Sequence, residues 1–164
     1  MEYQKYLDVL TERFNAYFNI KKHCTLFNKD WDLSAEFINR ENHTFISKNT
    51  VMDYADSKEM FVVTSSDTVM QDFKDFILSM PSYALEYSGV LSRHHKSSKL
   101  TAVIVCNTEP CKKIIKAVKG FNYSKLHYLG FYGMTYAGAV LVDLQNSKVY
   151  TSPLLKKDKA VFMP

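Results

Sequence analysis

Leu100-Thr-Ala-Val-Ile-Val-Cys106 is a nearly continuous apolar run, and the fold can be inferred outward from it. Such a run is typical of a strand that is covered on both faces. Residues 109–119 then place apolar side chains at helical spacing, with lysines between them. A second apolar and aromatic run, residues 126–131, follows. The order predicts two parallel strands of one sheet joined by a helix that packs through Ile115 and Val118.

The remaining patterns predict one α+β domain over residues 1–164, with loosely held residues at its end. We expect a single mixed β-sheet with N-terminal antiparallel strands, a C-terminal βαβ crossover and a closing hairpin, flanked by helices. The expected elements are helices over residues 2–18 and 65–80, a half-buried strand over 31–37, a turn at 40–43, strands over 44–47, 51–55 and 60–64, a polar loop over 92–99, and a hairpin of 137–144 with 148–151.

Composition narrows the class of protein. The 164 residues carry a net charge of +4, which permits weak attraction to polyanions but is not a nucleic-acid signature unless it is clustered on one face. The three cysteines indicate a reducing compartment rather than a disulfide framework. The N-terminus lacks a signal pattern, and no apolar run approaches the roughly 20 residues of a membrane span. We therefore expect a cytoplasmic protein without membrane contact.

Asp32 and Glu36 are candidate catalytic carboxylates because they share a strand face. Four strand residues span roughly 13 Å, so the two groups alone cannot hold one metal ion. Nucleases of the restriction type use a strand Asp followed by an acidic-x-Lys strand, and Asp56-Ser57-Lys58 has that form. This triplet has polar neighbours, which favours an exposed hairpin turn and an accidental match. We expect solvated carboxylates, no metal and no cofactor.

Cys111 is the best nucleophile candidate because a helix start favours a thiolate. The possible bases His94, His95 and His127 have no spacing that ties them to it. His94 and His95 are expected to be an exposed loop pair, and Cys106 with Cys111 forms neither a redox nor a zinc motif. We expect packing to dominate, so that Cys111 is mostly buried and slow to react.

The lysines of the crossover helix suggest contact with phosphate or nucleic acid. They lie on its polar side, near several tyrosines, as in surfaces that combine backbone charges with stacking. Because lysines commonly occupy the solvent side of an amphipathic helix, a solvated helix face is the favoured interpretation. The candidate binding residues are Lys112, Lys116, Lys119, Tyr123 and Tyr132.

The chain resembles a family of small uncharacterised bacterial and archaeal proteins, a domain of unknown function associated with clostridia and methanogens. The resemblance rests on Asp32-Leu33-x-Ala35-Glu36-Phe37 with Arg40, on Phe45-Ile46-Ser47-Lys48, on Tyr123-Ser124-Lys125, and on Val142-Asp143-Leu144-x-Asn146-x-Lys148-Val149. Met134 and Gly138 stand where the family has a tryptophan and an arginine. The resemblance implies a single cytoplasmic α+β domain and supplies no activity.

Three functions remain open. The first is a non-enzymatic binding module that self-associates as a homodimer through an aromatic-rich surface, which accounts for eleven tyrosines and eleven phenylalanines. The second is a metal-dependent nuclease or phosphodiesterase using Asp32 and Glu36. The third is a cysteine-dependent enzyme centred on Cys111. Nucleic acid is a weaker candidate partner than a second copy of the chain.

Overall fold

A computed structural model describes the backbone of residues 1–44, 51–66 and 73–164, and the side chains of residues 1–40, 55–66 and 73–164. The helices are α1 (Tyr3–Phe14), α2 (Phe73–Ser88) and α3 (Lys112–Gly120). The strands are β1 (Asn19–Leu26), β2 (Lys29–Thr44), β3 (Val51–Ser65), β4 (His95–Cys106), β5 (Tyr123–Leu126), β6 (Met134–Asp143) and β7 (Lys148–Thr151). Short 3-10 helices lie at Tyr128–Gly130, Pro153–Leu155 and Lys159–Phe162.

The described strands form one mixed seven-stranded sheet in the order β1-β2-β3-β4-β6-β5, with β7 also paired to β6. The first three strands are antiparallel, whereas β3, β4 and β6 are parallel neighbours. Parallel neighbours need crossovers, and α2 and α3 lie within them along the chain. The predicted α+β class with a single mixed sheet is confirmed.

Two cores lie on opposite faces of the sheet because side chains of a strand alternate in direction. Leu100, Ala102 and Ile104 face a core shared with α2 and α3. Val103 and Val105 face the other core, which contains α1 and the C-terminal tail. Both faces of β4 are therefore covered, as its apolar run predicts, and full burial of each Leu, Ile or Val side chain contributes about 1.5–3 kcal/mol.

The predicted crossover is correct in its helix but wrong in its second strand. Residues 126–131 are not a strand parallel to β4, because β5 ends at Leu126 and pairs antiparallel with β6. The parallel partner of β4 is β6. Helix α3 does pack through half-buried Ile115 and buried Val118. The predicted closing hairpin is confirmed, with Asp143 opposite Lys148.

Both predicted turns in the N-terminal half are wrong. Residues 40–43 lie within β2, and Asp56-Ser57-Lys58 lies within β3. The polar side chains are tolerated in the sheet because partners neutralise them: Arg40 Nε lies 2.8 Å from Asp56 Oδ1, and Lys99 Nζ lies 2.7 Å from Glu59 Oε1. The expectations for residues 45–47 and for the apolar stripe at 69–70 lie outside the described residues.

Two other segments are better ordered than their polarity predicts. Residues 95–99 belong to β4 rather than to a polar loop. The end of the chain is held against α1: Phe162 is fully buried, the Tyr6 hydroxyl donates to the Phe162 carbonyl oxygen at 2.8 Å, and Arg13 donates to the carbonyl oxygens of Val161 and Met163. The C-terminal tail is thus part of the core.

A candidate interaction site at the β5–β6 loop

The β5–β6 loop, residues 127–133, is held in a fixed shape by its own backbone. The His127 amide donates to the Gly133 carbonyl oxygen at 3.0 Å, which closes the loop. The Gly130 amide donates to the His127 carbonyl oxygen at 2.9 Å. Tyr128 and Leu129 have φ values of 49° and 57°. Two consecutive non-glycine residues in the left-handed region are costly, and such strain persists only where surrounding structure enforces it.

This loop carries the most exposed apolar side chains of the β5–β6 hairpin. Leu129 is 90% exposed, Phe131 75% and Tyr128 71%. Tyr128, Phe131 and half-buried Tyr132 line a cavity of about 630 Å³ with Arg93. The rings of Tyr128 and Tyr132 have centroids 4.7 Å apart. Residues 128, 129, 131 and 132, together with Arg93, form an aromatic surface.

A buried polar network lies behind the aromatic surface. His95 is fixed on both sides of its ring: Nδ1 lies 2.6 Å from the Tyr132 carbonyl oxygen, and Nε2 lies 2.8 Å from the Ser98 hydroxyl. Because a carbonyl oxygen only accepts, Nδ1 carries the proton of a neutral ring, and Nε2 accepts from Ser98. His95 therefore ties the loop backbone at Tyr132 to strand β4. The expectation of an exposed loop pair is wrong for His95.

His127 belongs to a second chain of hydrogen bonds. The Ser88 hydroxyl donates to the Ala84 carbonyl oxygen at 3.0 Å, so it accepts from Thr135, whose Oγ1 lies 2.5 Å away. Thr135 Oγ1 then accepts from His127 Nε2 at 2.8 Å. Burial lowers the pKa of His127, and electrostatic interaction with Lys125 and then with His95 lowers it further. Neutral His127 joins the loop to α2 and β6.

Lys58 has a partner of its own at the end of α2. Its Nζ donates to the Tyr87 carbonyl oxygen at 2.5 Å and lies 4.6 Å from the centroid of the Tyr87 ring. Burial lowers the Lys58 pKa, and the Glu36 carboxylate opposes that shift. Burial and Glu36 raise the pKa of Tyr87, whose buried hydroxyl has no well-formed hydrogen bond with a described residue. A cation at the last carbonyl groups stabilises a helix C-terminus, and this gives Lys58 a structural role.

The candidate carboxylates do not converge. Asp32 accepts from the Tyr3 hydroxyl at 2.6 Å, whereas Asp56 lies opposite Arg40 further along the same strand pair. Glu36 lies between them on β2, opposite Met60. Among the described residues, no group of three or more His, Cys, Asp or Glu side chains could hold a metal ion. The acidic-x-Lys triplet therefore lies in a strand, but away from Asp32.

Cys111 is exposed, so the expectation that it is mostly buried is wrong. It is the N-cap residue of α3, and its side chain makes no capping hydrogen bond in the described part of the chain. Helix α3 packs through side chains that begin at Ile114, and Cys111 lies outside that stripe. Within the described residues no histidine is hydrogen-bonded to it.

The candidate binding residues lie in three places. Lys112, Lys116 and Lys119 are exposed on α3, and Lys119 Nζ lies 5.2 Å from the centroid of the Tyr150 ring. Tyr132 lines the cavity of the aromatic surface. Tyr123 is half-buried against the core, and burial raises its pKa.

The sequence did not predict that the apolar residues of the aromatic surface are exposed. The run at 126–131 is apolar, which predicted a buried strand rather than an exposed loop. Gly130 and Gly133 both have positive φ and were the available signal for a tight connection at that point. No pattern places His95 and His127 together, because their rings, with centroids 6.2 Å apart, meet only through the parallel pairing of β4 and β6.

Comparison with known protein families shows the family to which the chain belongs. A model described as a domain of unknown function (DUF8052) matches residues 2–164. The chain belongs to this family, as the resemblance implies, while its distribution among clostridia and methanogens stays a prediction. Neither the curated proteins nor the solved structures include one that matches the chain. None of the helices in the described part of the chain is long and apolar enough to cross a membrane.

Proposed function

We propose that this protein is a non-enzymatic cytoplasmic interaction module that self-associates as a homodimer through the aromatic surface. The observation that carries the proposal is the exposure of Leu129, Phe131 and Tyr128 on a loop whose backbone is fixed. Rigid exposed aromatic side chains lose little entropy on binding and present a large apolar area. Three free cysteines support the cytoplasmic setting.

The composition of the aromatic surface resembles that of interface hot spots. Tyr and Arg are enriched among residues whose truncation costs most in binding, and they work best when surrounded by groups that exclude water. Arg93 lines the same cavity as the three aromatic rings. In a twofold dimer each copy presents the same patch, so Arg93 of one copy can contact a ring of the other. The dimer therefore needs no second surface.

The enzymatic alternatives have less support from the described side chains. The nuclease hypothesis needs carboxylates around one point, but Asp32 lies just before the Leu33–Val63 pair at one end of the β2–β3 pairing, whereas Asp56 lies opposite Arg40, seven residues further along β2. The cysteine hypothesis needs a base within hydrogen-bond reach of Cys111. Such a base is not found among the described residues, and both histidines of the buried network are committed to other partners.

Self-association is tested by measuring molar mass by sedimentation over a range of protein concentrations. The variant Leu129→Ser/Phe131→Ser removes two anchors of the aromatic surface. Leu78→Ser is the matched control, because Leu78 is 64% exposed on α2 and outside the surface. We expect the wild-type and control proteins to dimerise, and the double variant to dimerise at least about thirtyfold more weakly.

Far-UV circular dichroism and thermal unfolding show whether each variant is folded. Because the substituted side chains are exposed, we expect folding to be retained. A wild-type protein that remains monomeric at every concentration would refute the proposed dimer. Equal dimerisation of the double variant and the control would place the contact on a different surface.

A further inference from the structure

A second cavity, of about 590 Å³, lies beside the edge strand β7 and has a strongly basic lining. Lys119 comes from α3, Lys148 from β7, and Lys156 and Lys159 from the C-terminal tail. Its volume lies within the range of small-molecule sites, roughly 300–1,000 Å³. It shares no lining residue with the aromatic surface, so it is independent of the proposed dimer contact.

The lysines around this cavity have no acidic partner among the described residues. In the described part of the chain none of the four forms an ion pair, and no acidic side chain is among the lining residues. The nearest carboxylates in sequence are already engaged: Asp143 accepts from Asn146, and Asp158 pairs with Lys99. The like charges of four lysines that line one cavity repel each other, and a bound anion would relieve that repulsion.

The walls of the cavity are fixed before any ligand binds. The tail leaves β7 at buried Ser152, whose amide donates to the Ala139 carbonyl oxygen at 2.9 Å and whose hydroxyl accepts from the Ala139 amide at 3.1 Å. Gly138 lacks a side chain where Leu155 packs on the sheet; a Cβ at that position would lie 2.7 Å from Leu155 Cδ1. The positions of Lys156 and Lys159 therefore follow from the core, and preorganisation of this kind favours binding.

Two ordinary roles of lysine do not account for the arrangement. A lysine on an edge strand hinders edge-to-edge aggregation, which explains Lys148 alone. Lysines on the solvent side of an amphipathic helix explain Lys112 and Lys116 on α3. Neither role brings lysines from a helix, a strand and a tail together around one concave surface. The hydroxyl groups of Thr151 and Ser147 add neutral donors to the same lining.

We propose that this cavity binds a small molecule that carries a diphosphate group. Lysine is a point-charge partner for phosphate, and several lysines from different elements suit several phosphate charges. The concave shape favours a compact anion over the extended backbone of a nucleic acid, which would contact the exposed lysines of α3. Met163 and Tyr150 provide an apolar wall against which the non-phosphate part of the ligand can lie.

The test uses inorganic pyrophosphate as the probe and isothermal titration calorimetry of the full chain at low ionic strength. The variant Lys148→Gln/Lys156→Gln removes two charges from the cavity, and Lys112→Gln/Lys113→Gln removes two from α3 outside it. We expect pyrophosphate to bind the wild-type protein and to bind the cavity variant at least about tenfold more weakly. The dissociation constant of the α3 variant should lie within about threefold of the wild-type value. Added salt should weaken binding.

Three results would overturn the proposal. The first is no heat of binding and no thermal stabilisation by millimolar pyrophosphate. The second is equal weakening in both double variants, which would indicate diffuse charge attraction. The third is tighter binding of a duplex oligonucleotide than of pyrophosphate, together with loss of oligonucleotide binding in the α3 variant. That result would indicate a nucleic-acid surface. All variants replace exposed side chains, so circular dichroism should show the wild-type fold.

Discussion

At the scale of single residues, the two buried histidines differ in what their ring nitrogens contact. Both nitrogens of His95 have partners, in the Tyr132 carbonyl group and the Ser98 hydroxyl. His127 uses one nitrogen for Thr135, and its surroundings include Lys125 and His95. A proton added to His127 therefore places a positive charge in a buried site next to a cation, which destabilises the folded state.

The stability of the protein should consequently fall in acid. The pKa of His127 is lowered from 6.5 in the folded state, so the unfolded chain binds the proton more readily. The contribution of His127 to the free energy of unfolding is fully present above pH 6.5. It decreases as the pH falls from 6.5 through the pKa of His127 in the folded state. Denaturant unfolding measured at several pH values between about 5 and 7 should show this decline.

The control compares the same substitution at two histidines. His127→Gln removes the titrating group and should flatten the decline, although it also lowers stability at every pH. His23→Gln replaces an exposed histidine and should leave the slope of the wild type. An unchanged slope in His127→Gln would show that other groups cause the acid sensitivity.

Single residues were the least predictable level of this structure. The polar stretch around His95 predicted a loop, because the partners that satisfy its ring include a carbonyl group 37 residues away. Cys111 was expected in the core because it follows an apolar strand, but the buried stripe of α3 begins later in the helix. Lys119 and Tyr132 were both suggested by the sequence, and each lines a cavity, though not the same one.

At the scale of elements, the β5–β6 loop depends on one glycine. Gly133 has a φ of 71°, and a Cβ there would overlap the carbonyl oxygens of His95 and Lys96. Those oxygens belong to the backbone of β4 and cannot move aside without disturbing the sheet. The close approach of loop and strand is what allows the Tyr132 carbonyl group to reach the His95 ring. The exposed aromatic residues are thus presented from a fixed base.

Gly133→Ala should destabilise the protein by at least about 3 kcal/mol, because left-handed strain and backbone overlap add. Gly89→Ala is the matched control: Gly89 has a φ of 67°, but no atom of the described residues lies within 4 Å of its added Cβ. It should cost only about 1 kcal/mol. Urea unfolding measures both values. Similar losses in the two variants would mean that the loop moves away from β4 at little cost.

Elements were predictable where hydrophobic periodicity was strong. Helix α1, the core of β4, helix α3 and the closing hairpin all follow from the spacing of their apolar residues. The middle of β3 was missed because Asp56-Ser57-Lys58-Glu59 has no apolar residue, and its strand conformation depends on partners from β2, β4 and α2. The loop after β5 was missed for the opposite reason, since its apolar residues face outward.

At the scale of the whole molecule, the C-terminal tail completes the core on the α1 face of the sheet. The Phe162 ring lies 5.7 Å from Phe61 and 6.5 Å from Phe14, measured between centroids. The Tyr6 hydroxyl joins the first helix to this last turn across 156 residues. No periodicity in so short a tail could predict contacts at that separation. The tail also forms one wall of the basic cavity, so core packing and the proposed anion site are linked.

Removal of the Phe162 side chain should therefore destabilise the entire molecule. Phe162→Ala removes a fully buried ring and should cost about 3–5 kcal/mol, as aromatic truncations in cores do. Val161→Ala, at a neighbouring position that is 38% exposed, should cost less than about 1 kcal/mol. Thermal and urea unfolding give both values, and circular dichroism at low temperature identifies any variant that no longer folds. If the two variants unfold at the same temperature, the tail is not part of the core in solution. The basic cavity would then lack its fixed wall, and pyrophosphate binding would have to arise elsewhere.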